Sequence, residues 1–180
     1  MDMDLTSMCN INLVYFMTGI FVCLFVSEDF KSGYAKNLFT VRARKSDYVV
    51  SKTLAGLLCG ALLLLAFFLG AMLGGKASGL PFSLGTAGPG GLLMCMLSKL
   101  FLMGVFVGIF LTMSVIAKRK TWLSILLSLF AGMLLFTMIP MMTPLDSGPM
   151  NVAMCFAGGA LFSAGLGAAS NKILKQTSLV

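Results

Sequence analysis

Five continuous apolar stretches dominate this 180-residue chain, each close to the roughly 20 residues that an α-helix needs to cross a bilayer core. They cover about 11–26, 49–73, 100–117, 122–142 and 152–170, the third with a weaker apolar lead-in from Gly91. None alternates apolar with polar residues as a barrel wall would, so the runs predict helices rather than strands. Composition closes off the alternatives. The chain is 58% hydrophobic and 11% charged, where a soluble domain carries about 25% charged residues. A soluble enzyme, a disordered tail and a disulfide-stapled secreted domain are all excluded. The expected fold is all-α: a polytopic membrane protein forming a single transmembrane domain over 1–180, with five transmembrane helices and a loop over 27–48.

Charge orients the spans. Thirteen Lys and Arg against six Asp and Glu give +7, but the positions matter more than the sum, because basic residues mark the cytoplasmic side. Lys31, Lys36, Arg42, Arg44, Lys45 and Lys52 fall between the first two spans. Lys118, Arg119 and Lys120 precede the fourth, and Lys172 and Lys175 follow the fifth. The opposite side has Lys76, Lys99 and the acids Asp2, Asp4 and Asp146. The alternation predicts an N-terminus outside, a C-terminus in the cytoplasm, a lipid bilayer as partner and no nucleic acid. Asp2 and Asp4 stand where a signal peptide would need basic residues.

Small residues let helices approach closely in lipid. Gly56 with Gly60, Gly70 with Gly74, and Gly104 with Gly108 are each four apart, and Gly159, Ser163 and Gly167 repeat that spacing. These positions predict a tight bundle or a dimer seam. Pro140 should kink or end the fourth span. Lys99 is read as an interfacial anchor, with a substrate-facing role as the alternative, and Trp122 as a belt residue. Cys9, Cys23, Cys59, Cys95 and Cys155 are scattered, and the chain has no CxxC and no histidine. Zinc and thioredoxin-type readings therefore fail, and the thiols are expected as small buried hydrophobes. Met138, Met141 and Met142 cluster near the outside, and thioethers can bind Cu(I). With methionine in every span, packing is the expected role, and no metal or cofactor is expected.

The loop is the most informative segment. Ser27 can cap a helix whose first turn holds Glu28 and Asp29, and carboxylates suit that end of the dipole. Phe30, Tyr34 and Leu38 then share a face at four-residue spacing. This predicts a short amphipathic helix just inside the membrane. It would either lie on anionic lipid or dock into a partner as a rigid protrusion.

The run Ser27-Glu28-Asp29-Phe30-Lys31-Ser32-Gly33-Tyr34-Ala35-Lys36-Asn37, followed by Arg44-Lys45-Ser46-Asp47-Tyr48 and Ser51-Lys52, resembles permease subunits of bacterial type-2 ATP-binding-cassette exporters. In that family an acidic pair ends one membrane helix, a short coupling helix with a glycine-aromatic step follows, and an R-K-x-x-Y-x-x-S-K phrase opens the next helix. Such permeases usually have six spans with both ends inside. The resemblance thus implies a chain lacking the cytoplasmic tail and first helix, which accounts for an outside N-terminus.

The resemblance implies a bacterial plasma-membrane protein that moves its substrate with energy from a separate ATPase subunit, paired with a second permease copy. The chain has no G-x-x-x-x-G-K-[ST] phosphate loop, so it is not expected to be an enzyme. Glu28, Asp29, Phe30, Lys31, Gly33 and Tyr34 are the residues implied in coupling to the ATPase. The apolar spans, without a buried acid, point to an amphipathic or hydrophobic substrate. Two other readings stay open: a non-transporting immunity or assembly factor, and an inactive permease remnant.

Overall fold

The computed structural model describes residues 3–4, 12–41, 45–79, 82–83, 88–117, 120–142 and 148–176. Among the described residues six helices follow one another: α1 Asn12–Lys31, α2 Tyr34–Val41, α3 Lys45–Ala77, α4 Gly88–Ala117, α5 Thr121–Met142 and α6 Pro149–Gln176. Two dipeptides, β1 Met3–Asp4 and β2 Phe82–Ser83, pair in parallel with Met3 opposite Phe82. The protein is an all-α, multi-pass membrane protein. Among the described residues four helices (α1, α3, α4 and α6) are long and apolar enough to cross a bilayer. The 22-residue α5 contributes the shorter apolar stretch Thr121–Leu134. Arg42, Arg44, Lys118, Arg119, Asp2, Asp146 and Cys9 lie outside the described residues, as do the side chains of Met138, Met141 and Met142.

The helices outrun the apolar cores that announce them. Backbone hydrogen bonding continues into polar ends wherever no breaker intervenes. Thus α4 starts at Gly88, with Pro89 in its first turn, where a missing N–H goes unmissed. Lys99 consequently stands about three turns inside α4 rather than at its outer end. Pro140 sits in the final turn of α5, which ends two residues later.

Alternating direction organises the bundle. Gly60 of α3 lies against Met103 of α4 and Gly56 against Val107, so these helices run antiparallel. Phe101 of α4 meets Phe156 of α6, and Thr112 meets Ser170, so this pair runs parallel. One end of the bundle therefore gathers Lys31, Lys45, Ala117, Lys120 and Leu174, and the other gathers Ala77, Gly88 and Gly148. The β1–β2 pair places Met3–Asp4 with the loop after α3.

The core follows from α4. Met103, Phe106, Val107, Phe110, Leu111 and Val115 are all buried, and α4 packs against α1, α3, α5 and α6. Tyr15 stacks on Phe106 at 4.7 Å and its hydroxyl donates to the Lys99 carbonyl at 3.1 Å. Polar groups inside the bundle find partners across helices, as the absence of water demands. Ser124 donates to Ser114 at 2.8 Å, and the Cys23 thiol donates to Ser128 Oγ at 3.1 Å. Cys23, Cys59 and Cys155 are free thiols. Cys95 departs from the expected small-hydrophobe role and is disulfide-bonded.

Thr112 and Ser170 hydroxyls lie 2.9 Å apart between α4 and α6. Ser170→Ala is expected to destabilise the bundle by only about 0.6 kcal/mol, the mean for such pairs in membranes. The effect stays small because Thr112 Oγ1 also donates to the Gly108 carbonyl at 2.7 Å. Unfolding in mixed micelles reads the difference, and a loss several times larger would mean that this pair holds the seam.

Candidate functional site

The segment joining α1 to α3 folds into an elbow, built differently from its sequence expectation. Ser27 does not cap a new helix. It lies buried inside α1, which runs on unbroken to Lys31, and its Oγ has no hydrogen-bond partner among the described residues. Phe30 continues the buried face of Val22, Cys23 and Val26 past Ser27, so packing carries the helix through. The break comes at Gly33, whose φ of +76° is left-handed. There the Ser32 N–H closes α1 on the Glu28 carbonyl at 2.9 Å, and the Gly33 carbonyl accepts from Asn37 N–H at 3.0 Å to open α2. One residue ends one helix and begins the next.

The amphipathic helix is therefore Tyr34–Val41, shifted from the expected 28–38 segment. Ala35 is buried, and Leu38 and Phe39 pack against the core. These positions, spaced i, i+3 and i+4, form the inner face. Tyr34 belongs to the outer face, 53% exposed, and Val41 is 84% exposed. Phe30, expected to share a face with Tyr34, instead ends α1 and meets the Tyr48 ring edge-on at 6.3 Å. Phe39 meets the same ring from α2 at 5.3 Å.

The two acidic neighbours diverge. Glu28 is exposed. Asp29 Oδ2 turns inward, 2.5 Å from Lys52 Nζ, and accepts from the Tyr48 hydroxyl at 2.9 Å. Lys52 is only 7% exposed, and its ammonium lies 3.3 Å from the centre of the Phe25 ring. Phe25 and Asp29 stand one turn apart on α1, as do Tyr48 and Lys52 on α3, so two helix faces meet in a four-residue cluster. At the start of α3, Lys45 Nζ donates to the Leu174 carbonyl in the last turn of α6 at 2.7 Å. A cation suits that negative helix end.

The arrangement leaves Glu28, Lys31, Ser32, Tyr34, Lys36, Asn37 and Val41 exposed on a knob held from behind by aromatic rings and an ion pair. Of the residues singled out from the sequence, Glu28, Lys31 and Tyr34 are on the outer surface, Gly33 forms the bend, and Asp29 and Phe30 face inward. Phe25, Tyr48 and Lys52 complete the cluster without having been singled out as functional. A lysine closing the aromatic phrase at the head of an apolar helix was the available signal.

Residues 1–135 match the family of ABC-2 family transporter proteins. The chain belongs to that family. Nothing matches among curated proteins or among solved structures. The protein is thus a membrane permease of an ATP-binding-cassette system, its family being the transmembrane component of such systems rather than the nucleotide-binding one.

The remaining sequence-marked positions of the permease are the small residues. A Cβ at Gly159 would lie 2.6 Å from the Phe101 carbonyl oxygen, and one at Gly108 3.1 Å from Leu166. Gly104 lies near Leu57 and Ser163, and the Ser163 hydroxyl donates to the Gly104 carbonyl at 3.4 Å. Gly56 and Gly60 take the side chains of Val107 and Met103 at 2.7 Å each. A Cβ at Gly167 would lie 3.9 Å from Val49, and one at Gly70 or Gly74 would meet nothing described within 4 Å. Two further glycines outside any regular spacing, Gly19 and Gly132, receive the Phe110 ring between them. Among the described residues no group of acids, cysteines and histidines could hold a metal.

Proposed function

We propose that the permease is the membrane-spanning subunit of an exporter driven by a separate ATPase, and that the elbow is the surface on which that ATPase acts. Five spans cross the bilayer as a single domain over 1–180, with the N-terminus outside and the C-terminus in the cytoplasm. The carrying observation is the elbow: a knob fixed rigidly to two membrane helices yet presenting Glu28, Lys31 and Tyr34 outward. Orientation has its own support, since Lys31, Lys36, Lys45, Lys120, Lys172 and Lys175 share the elbow's end of the bundle. Glu28, Lys31 and Tyr34 form the docking contact, Gly33 sets the bend that presents them, and Asp29 and Phe30 hold it from within. Two permeases and two ATPases make the assembly, and the apolar span surfaces suit an amphipathic or hydrophobic substrate.

Copurification in mild detergent is the first test, and a Walker-motif ATPase should accompany the chain. Its absence would favour an immunity or assembly factor. Tyr34→Ala should then weaken ATPase binding about tenfold, equivalent to about 1.4 kcal/mol for a central aromatic contact, without lowering the amount of permease inserted. Binding unchanged by Tyr34→Ala, Glu28→Gln and Lys31→Gln together would remove the elbow from the interface.

A further inference from the structure

The inward side of the elbow carries a second role, which rests on the permease reading above. We infer that Asp29, Tyr48 and Lys52 are positioning residues, forming a clasp that makes the elbow, the end of α1 and the head of α3 move as one body when the ATPase acts. Three observations converge. The Asp29 carboxylate holds both Lys52 and Tyr48, which lie one turn apart on α3. The ammonium is withdrawn from water onto the Phe25 ring, and separating a buried pair strands each charge in a low dielectric. The Tyr48 ring, besides giving its hydroxyl to Asp29, is flanked by Phe30 of α1 and Phe39 of α2. Thus α1 and α3 share one polar knot, and α2 joins it through the aromatic jacket. A push on α2 reaches Tyr48 through Phe39, and Tyr48 is bonded to α1 through Asp29. The displacement passes into both membrane helices, because α2 cannot pivot at Gly33 without parting Phe39 from Tyr48, whose hydroxyl is bonded to Asp29 of α1.

The far end of α3 reports whether it does. Ser78 follows α3 at the opposite end of the bundle and is exposed, so the chain bearing Ser78→Cys, purified with its ATPase, can be labelled with a maleimide. The rate is compared between nucleotide-free and vanadate-trapped complexes, with labelling of the parent chain subtracted. The rate is expected to change on trapping. The neutral pair Asp29→Asn/Lys52→Met leaves no orphan charge, so it should insert and bind the ATPase, while the ratio of the two rates falls to about one as the population shift at α3 disappears. Lys52→Arg, which keeps the charge, should retain most of the change. Tyr48→Phe keeps the ring contacts and loses one hydrogen bond, so it should reduce the change about twofold.

A neutral pair that keeps the full change overturns the clasp and leaves the docking reading intact. The clasp is equally overturned if Ser78→Cys labels alike in both states of the otherwise unaltered complex, or if the neutral pair inserts but releases the ATPase. Should the neutral pair fail to insert, Tyr48→Phe decides, and an undiminished change overturns the clasp. An unaltered chain that binds no ATPase removes the docking reading itself.

Discussion

Gly33→Val is expected to leave the permease inserted and folded while abolishing most of its influence on the ATPase. The bend at position 33 has φ +76°, a conformation that costs an L-residue about 1–2 kcal/mol and a β-branched one more. A Cβ there would meet nothing within 4 Å among the described residues, so the penalty is conformational. The cheapest relief is to unwind the junction between α1 and α2, because the bundle behind it is fixed by buried contacts that the substitution does not touch. Thermal unfolding in detergent should hardly move, proteolysis at the elbow should rise, and coupling should fall about tenfold, matching a loss near 1.4 kcal/mol. Gly33→Asn is the discriminating control, because asparagine tolerates the left-handed region. It should retain most coupling. If Gly33→Asn and Gly33→Val lose coupling equally, the glycine serves close approach to the partner and not the bend.

Gly159→Val should be the most damaging of the small-residue substitutions. Its Cβ would sit 2.6 Å from the Phe101 carbonyl oxygen and 3.2 Å from the carbonyl carbon. Those are backbone atoms of α4, the helix around which the bundle is built, and they cannot rotate away. Either α6 moves off α4 or the helix deforms, and overpacking of this kind typically costs about 1–3 kcal/mol, occasionally more. At Gly60 the obstacle is the Met103 side chain, its Cγ nearest at 2.7 Å, which can shift by rotation as a backbone carbonyl cannot, so Gly60→Ala should cost less. At Gly70 and Gly74 nothing described obstructs a side chain, and alanine gains up to about 1 kcal/mol in helix propensity over glycine. The expected order of unfolding midpoints is therefore Gly70→Ala above Gly60→Ala above Gly159→Val. Gly159→Val unfolding alongside Gly70→Ala would show that α6 is not seated on α4 through this contact.

The same contrast marks where sequence reasoning stops. Four-residue spacing is identical at Gly70 with Gly74 and at Gly104 with Gly108, yet the second pair faces α3 and α6 and the first meets nothing among the described residues. Spacing says that a helix can be approached closely. It does not say which neighbour arrives. At the elbow the glycine-aromatic step came from the family resemblance, while the expected helix ran from Glu28 to Leu38 through Gly33; the left-handed bend there is set by the structure. A helix start at Ser27 does not hold, since a good capping residue is also tolerated inside a helix whose buried face continues beyond it.

By itself the sequence determined that the chain crosses a membrane repeatedly as helices, where their apolar cores lie, and which of their ends carry the positive charge. Transfer of apolar side chains into lipid and intrahelical hydrogen bonding are local and sum along the chain, so they can be read one segment at a time. Only the tertiary structure decided that Asp29 turns inward to Lys52 while adjacent Glu28 faces outward. Neighbouring residues on a helix point about 100° apart, and which of the two meets α3 depends on how α1 and α3 are rotated against each other. That rotation is set by shape fit across many residues distant in sequence, Gly56 against Val22 and Val107 among them.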